Sequence, residues 1–364
     1  MAYRIAGIIF LCAASLALGV LDTAGIDKVT KKDVLDQQDL AAIDRFVADG
    51  VQEIVATKDF SAIGNVRASI AARAHSSVPS ADIQYHPQYI AAATKSLPKG
   101  FADAKKISDA DRRAKVTLNL LILLDTLNNA ALADIALPMI ADDNAAVRYW
   151  AVHAVTSPAV IEQFNTGKAS AATARTIAER LATQIKVETS PHILSQIARF
   201  GSGVTIPQAQ ALLQQIADMR LKKYQTWTVN NIPFDETVLR MLGEKAAAQD
   251  KAAALQFCQL YAYAIEMYGK GQKVLDKSQM EQLATVLVQT EAHMLPKLLG
   301  APQTGIKRAV EKDNEQALLT EYKDLFGEGE TRGKLSAALN IEYQNADGTK
   351  RPTPLPLPEK PKTK

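Results

Sequence analysis

Asp142-Asp143-Asn144-Ala145-Ala146-Val147-Arg148-Tyr149-Trp150-Ala151-Val152-His153-Ala154-Val155-Thr156 is the stretch whose reading decides the fold. Asp143 can accept hydrogen bonds from the free N–H groups of a helix start, and Val147, Ala151 and Val155 fall on one stripe at four-residue spacing. The pattern therefore predicts a helix with one apolar face, which is architecture rather than chemistry. It also returns downstream. Setting Asp143, Val147, Arg148 and Ala151 against Ser190, Leu194, Ser195 and Ala198 gives an offset of 47, and setting that second group against Asp235, Leu239, Arg240 and Gly243 gives 45. In each copy the first residue is a good N-cap and the fourth is small. Trp150 and His153 share a face, but Ile197 and Phe200 stand at their places in the next copy, which points to packing.

Over residues 120–250 this pattern resembles the HEAT repeat, a pair of antiparallel helices with a period of roughly forty residues. The resemblance implies helical hairpins stacked as a right-handed α-solenoid. It implies that Asp143, Arg148, Asp235 and Arg240 are structural residues linking successive repeats, and that the concave face binds other proteins. The middle copy departs from the family in having Ser195 where the others have arginine.

Working outward, 364 residues with 47% hydrophobic and only 6% aromatic content can bury a large core. Without long Val/Ile/Thr alternation, that core is expected to be all-α and packed through small side chains. Of the net charge of +3, the last fifteen residues contribute +4, so the body is near neutral and lacks the clustered basic footprint of a nucleic-acid binder. Residues 1–19 carry Arg4, an uncharged run from Ile5 to Leu18 and Ala17-Leu18-Gly19, the pattern of a signal peptide. Its rivals are a buried first helix and an uncleaved anchor, although the run is shorter than the ~20 residues that span a bilayer. Cleavage removes Cys12 and leaves Cys258 alone, with no intramolecular disulfide possible. The expected location is exported, periplasmic or extracellular, and bacterial in character.

Residues 20–36 read as a spacer and 37–107 as an irregular N-terminal helical region, with Leu40 to Val55 and Ser61 to Ala74 as its first helices. His75 to Pro87 reads as a loop, Pro87 as the start of the next helix and Pro98-Lys99-Gly100 as its end. Residues 108–250 hold the repeats, opened by the most apolar run of the mature chain, Val116 to Leu127. Gly201-Ser202-Gly203-Val204-Thr205 reads as a turn. Residues 251–326 form a C-terminal helical region, and 327–364 an extended tail in which Pro352, Pro354, Pro356, Pro358 and Pro361 recur.

The search for chemistry finds no zinc-type histidine pair, nucleophile elbow, phosphate loop or dinucleotide fingerprint, so no catalytic, metal or cofactor residue is assigned. His75, His86 and Asp82 are close in sequence, and a solvated surface is the expectation for them. Trp227, in the polar stretch 222–233, is the best loop candidate for anchoring a partner. Tyr261 and Tyr263 are candidates for an interface platform, against the plainer reading that they fill the core. The reading that follows is an exported helical-repeat scaffold that binds a protein partner and carries no activity. The alternative is an all-helical envelope enzyme acting on a polysaccharide or peptide, with Trp227, Tyr261 and Tyr263 lining a cleft.

Overall fold

The computed structural model describes residues 21–272 and 274–360, so the expected signal segment, with Cys12, lies outside the described residues. Among the described residues the fold is all-α apart from two antiparallel hairpins with strands of two residues each. It divides between Leu127 and Asn128 into two compact units.

The first unit contains α1 (Thr23–Val29), α2 (Gln37–Ala56), α3 (Phe60–Ala71), α4 (Pro79–Lys105) and α5 (Ala110–Thr126). The stretch read as a spacer thus carries a short helix, which buries Ile26 and Val29 and packs on α2. Asp36 and Asp39 form a reciprocal capping box at the start of α2, whose buried stripe is Ile43, Phe46, Val47, Val51 and Ile54. Its main partner is α4, whose ends differ from those its prolines predict. Pro79, not Pro87, occupies the first turn, while Pro87 and Pro98 lie inside the helix. Each removes one helical hydrogen bond. Burial of Tyr85, Tyr89, Leu97 and Phe101 on the same helix outweighs that loss. The hydroxyls of Tyr85 and Tyr89 donate to the carbonyls of Arg73 and Ile70 at 2.8 and 2.6 Å, tying α4 to the end of α3. The apolar α5 buries Leu120, Leu121, Leu123 and Leu124 and packs against α3, α4 and α2. No helix among the described residues is long and apolar enough to cross a membrane.

The second unit runs through α6 (Ala133–Ala136), α7 (Ala145–Thr156), α8 (Pro158–Asn165), α9 (Ala171–Ile185), α10 (Pro191–Gly203), α11 (Pro207–Gln225), α12 (Phe234–Ala247), α13 (Lys251–Gly271) and α14 (Lys277–His293). It ends with α15 (Leu295–Leu299), α16 (Gly305–Glu311), α17 (Glu315–Phe326) and α18 (Lys334–Leu339). Strands β1 (Gly327–Glu328) and β2 (Thr331–Arg332) precede α18, and β3 (Tyr343–Gln344) and β4 (Lys350–Arg351) follow it. Helix α7 packs on α10, α10 on α12 and α12 on α14, while α9 packs on α11 and α11 on α13. Crosswise, α10 meets α11 and α12 meets α13.

Gly201 explains how closely α10 and α11 approach. It lies inside α10 rather than in a turn, and a Cβ there would stand 2.9 Å from the carbonyl oxygen of Ala209 and from the backbone nitrogen of Leu213. Alanine would gain roughly 1 kcal/mol of helix propensity. Backbone cannot move aside as a side-chain tip can, so overpacking of about 1–3 kcal/mol wins. Gly201→Ala is therefore expected to lower the urea midpoint of the second unit, and an unchanged or raised midpoint would contradict the close approach.

Candidate functional site

Helix α13 starts where the Asp250 carboxylate accepts from the Ala253 N–H at 3.1 Å. Its interior face, including Phe257, Cys258, Leu260, Tyr261 and Ala264, is wholly buried. Burial pushes the Cys258 thiol up to about 12, which makes it an inert core group. Gln259, Tyr263, Glu266 and Lys270 follow one another at spacings of four, three and four, and so form a second, polar stripe along the helix.

The proline-rich tail lies along that stripe. The Gln259 side-chain amide pairs with Leu355 at both ends: its Nε2 donates to the Leu355 carbonyl at 2.9 Å, and its Oε1 accepts from the Leu355 N–H at 2.8 Å. Two residues on, the Leu357 N–H donates to Glu266 Oε2 at 3.2 Å, and its carbonyl accepts from Lys270 Nζ at 3.1 Å. Pro354, Pro356 and Pro358 have no N–H to leave unsatisfied. The Leu357 side chain is 2% exposed. At the end of the track the Trp227 indole N–H donates to the Pro358 carbonyl at 2.8 Å. Glu266 is held in place by Lys270, at 2.9 Å, and by the Tyr322 hydroxyl of α17, which donates to its Oε1 at 3.0 Å. Burial and the adjacent Glu266 carboxylate push the Tyr322 hydroxyl well above the usual phenol range, so it stays a donor.

Of the three residues expected to meet a partner, Trp227 is the one that hydrogen-bonds to the tail. It occupies a left-handed backbone position, φ +57°, just past the end of α11. Glycine or asparagine is usual there, and a bulky residue in that conformation is strained. Tyr261 is 0% exposed, and its hydroxyl donates to the Leu287 carbonyl at 3.0 Å. Tyr263 is 1% exposed and accepts from Gln225 Nε2 at 3.2 Å. Both tyrosines are core residues, and they form neither an open platform nor the wall of a cleft. The reason is positional: on a helix packed against α11, α12, α14 and α17, few turns face outward.

Chain comparison adds no identity. The sequence matches no family model and no curated protein. The site therefore rests on its geometry.

The four residues expected to link repeats have diverse surroundings. The cap of α7 is Asn144, whose Oδ1 accepts from the N–H groups of Ala146 and Val147; Asp143 contributes only its carbonyl, to Arg148 Nη1 at 3.0 Å. Arg148 links α7 to the segment before α10: its Nε donates at 3.0 Å to Glu188. Arg240 makes no such link, since it faces Glu236 and Glu244 one turn away on its own helix, at 3.9 and 3.6 Å. Asp235 is 0% exposed and meets the Arg220 guanidinium through both oxygens, with Nη2 to Oδ2 at 2.9 Å; the Tyr224 hydroxyl donates to Oδ2 at 2.8 Å. Burial raises the Asp235 carboxyl above the ordinary value, against the pull of Arg220 and of Tyr224. On α7, the rings of Tyr149, Trp150 and His153 contact one another at centroid distances of 5.4–5.9 Å and are half-buried, whereas Ile197 and Phe200 of the next copy are wholly buried.

Glu188 gives a pH prediction. Burial raises its carboxyl, but the bonds from Arg148, Ser190, Gln184 and Thr189 outweigh this and hold it below the ordinary glutamate value. A depressed folded-state value means stability that is fully present above the unfolded glutamate pKa, near ~4.3, and is lost as pH falls through the folded one. Glu188→Gln should cost about 1.5–3 kcal/mol at neutral pH. In parallel urea titrations, the gap between variant and parent should begin to narrow as the pH falls below about 4 and should close only beneath the folded-state value. A gap that does not narrow with falling pH would refute the ionic account.

In the first unit the structure brings His75, His86 and Asp82 together. The imidazoles stack at 4.1 Å, His75 Nδ1 lies 2.9 Å from Asp82, and His86 Nδ1 lies 2.9 Å from the Ala74 carbonyl. Parallel rings do not converge on a common point, and among the described residues no group of three or more ligand side chains could hold a metal ion.

Gln259, Glu266, Lys270 and the two leucines went unassigned in the sequence. The signal available was the Pro-Leu alternation, each leucine offering an N–H between residues that have none, together with a polar stripe on an otherwise apolar helix.

Proposed function

We propose that this chain is an exported helical-repeat scaffold that binds a protein partner in the cell envelope and carries no activity of its own. Its second unit would be a right-handed, HEAT-like stack of helical hairpins. The neighbour relations support the stacking: one row would be α7, α10, α12 and α14 and the other α9, α11 and α13, with Val147, Leu194 and Leu239 buried at equivalent places. The observation that carries the binding function is the pairing of Gln259, Glu266 and Lys270 with the backbone of an extended segment. Contacts to backbone, with one apolar side chain buried between them, are the mode by which proteins take up extended peptides.

The test is cross-linking of the full chain in envelope extract, followed by mass spectrometry. One recurrent protein should cross-link next to α13 and α17, and Lys270→Glu should lose it while the helical circular dichroism is kept. Cross-links spread over the surface, or partners unchanged by Lys270→Glu, would overturn the proposal.

A further inference from the structure

Beside the tail, α13 and α17 leave an opening of about 310 Å³, walled by Ile265, Leu318, Leu319 and Tyr322 and closed along one edge by Pro356. Its walls are mainly apolar, and Leu319 is 43% exposed at its rim. The tail runs past this opening without entering it: Leu357 is buried and Pro356 is exposed. The same α13 side chains that hold the backbone at residues 355 and 357 therefore fix a position, residue 356, from which a side chain reaches an unfilled apolar pocket.

We propose that the partner's binding segment is an extended, proline-containing peptide with a bulky apolar residue at the position of Pro356, and that the chain's own tail is a weaker occupant of the same track. This rests on the peptide-binding reading above. Proline is a short ring that keeps the segment extended but leaves the opening empty. A phenylalanine at that position would add apolar area taken from water, and its new N–H falls at a position that is exposed in the chain. A trans peptide must also compete with a tail tethered at high effective concentration, so only one with this additional anchor would displace it.

The experiment uses the full chain with Leu357→Ser, which loosens the tail, and two fluorescein-labelled peptides of residues 352–360, one native and one with P356F. The P356F peptide should bind about tenfold more tightly or better. Leu319→Glu in the chain should abolish that advantage and leave binding of the native peptide unchanged. Equal affinities would overturn the pocket assignment while the peptide track stands. If neither peptide binds, the track and the pocket assignment both fall. A second measurement avoids the loosened variant. In an otherwise unaltered chain, Pro356→Phe should slow hydrogen exchange of the Leu357 amide about tenfold, as deeper docking requires. An unchanged or faster rate would overturn the inference.

Discussion

Asp235→Ala is expected to lower the unfolding free energy of the second unit by about 3–5 kcal/mol, the largest effect of any single polar substitution described for this chain. The reason lies in what remains. Arg220 is 1% exposed, and without its carboxylate partner it is a buried charge with no counter-ion. Tyr224, wholly buried, would lose the acceptor of its hydroxyl proton. A urea titration followed by circular dichroism measures the loss. The companion experiment separates the penalty of an orphaned charge from any intrinsic value of the pair. Replacing Arg220 by methionine and Asp235 by leucine together should cost far less than Asp235→Ala, because apolar groups of similar volume need no partner. If the double replacement is as damaging as the single one, the pair contributes net stability of its own. The effect also reaches the binding track: Tyr224 and Asp235 flank the loop of residues 226–233, so the clamp fixes the base from which Trp227 meets the tail.

Leu357→Ser should undock the tail while leaving the helices intact. Removing a fully buried leucine side chain costs about 2 kcal/mol or more. For a segment held by two residue pairs and one indole bond, that changes the ratio of docked to free tail by a factor of about 30. Hydrogen exchange resolves it site by site: protection of the Leu355 and Leu357 amides should fall together by about that factor, since both belong to one local opening. Amides in the middle of α13 should keep their rates. If only Leu357 loses protection, each side-chain pair holds its residue independently and the tail does not dock as a unit.

The helical class was legible because apolar spacing at three and four residues is set by the chain itself. Leu40 to Val55 became α2, and Val147, Ala151 and Val155 are buried on α7. Helix boundaries at proline were not legible: whether Pro87 and Pro98 end a helix depends on the burial gained by Tyr85, Tyr89 and Phe101 when α4 packs, which is a tertiary quantity. Gly201 failed for the same reason, since a glycine that ends a helix and one that admits a neighbour look alike until the neighbour is known. At the candidate site, Trp227 was found as an unusual loop residue. Tyr261 and Tyr263 misled because aromatic composition does not reveal which side of a helix is covered. Asp235 was noticed as a cap, but its partner Arg220 lies fifteen residues back and carries no mark in the pattern.

The alternation of proline and leucine in residues 354–358 makes docking of the tail a ratchet with a two-residue tooth. A slip of one residue would present a proline nitrogen, which bears no hydrogen, to both Gln259 and Glu266, and would turn the Leu357 side chain out of its site. A slip of two would restore the donors, with Leu355 on Glu266 and Thr353 on Gln259. Binding on this track is thus quantised in steps of one dipeptide. A tail built this way cannot creep.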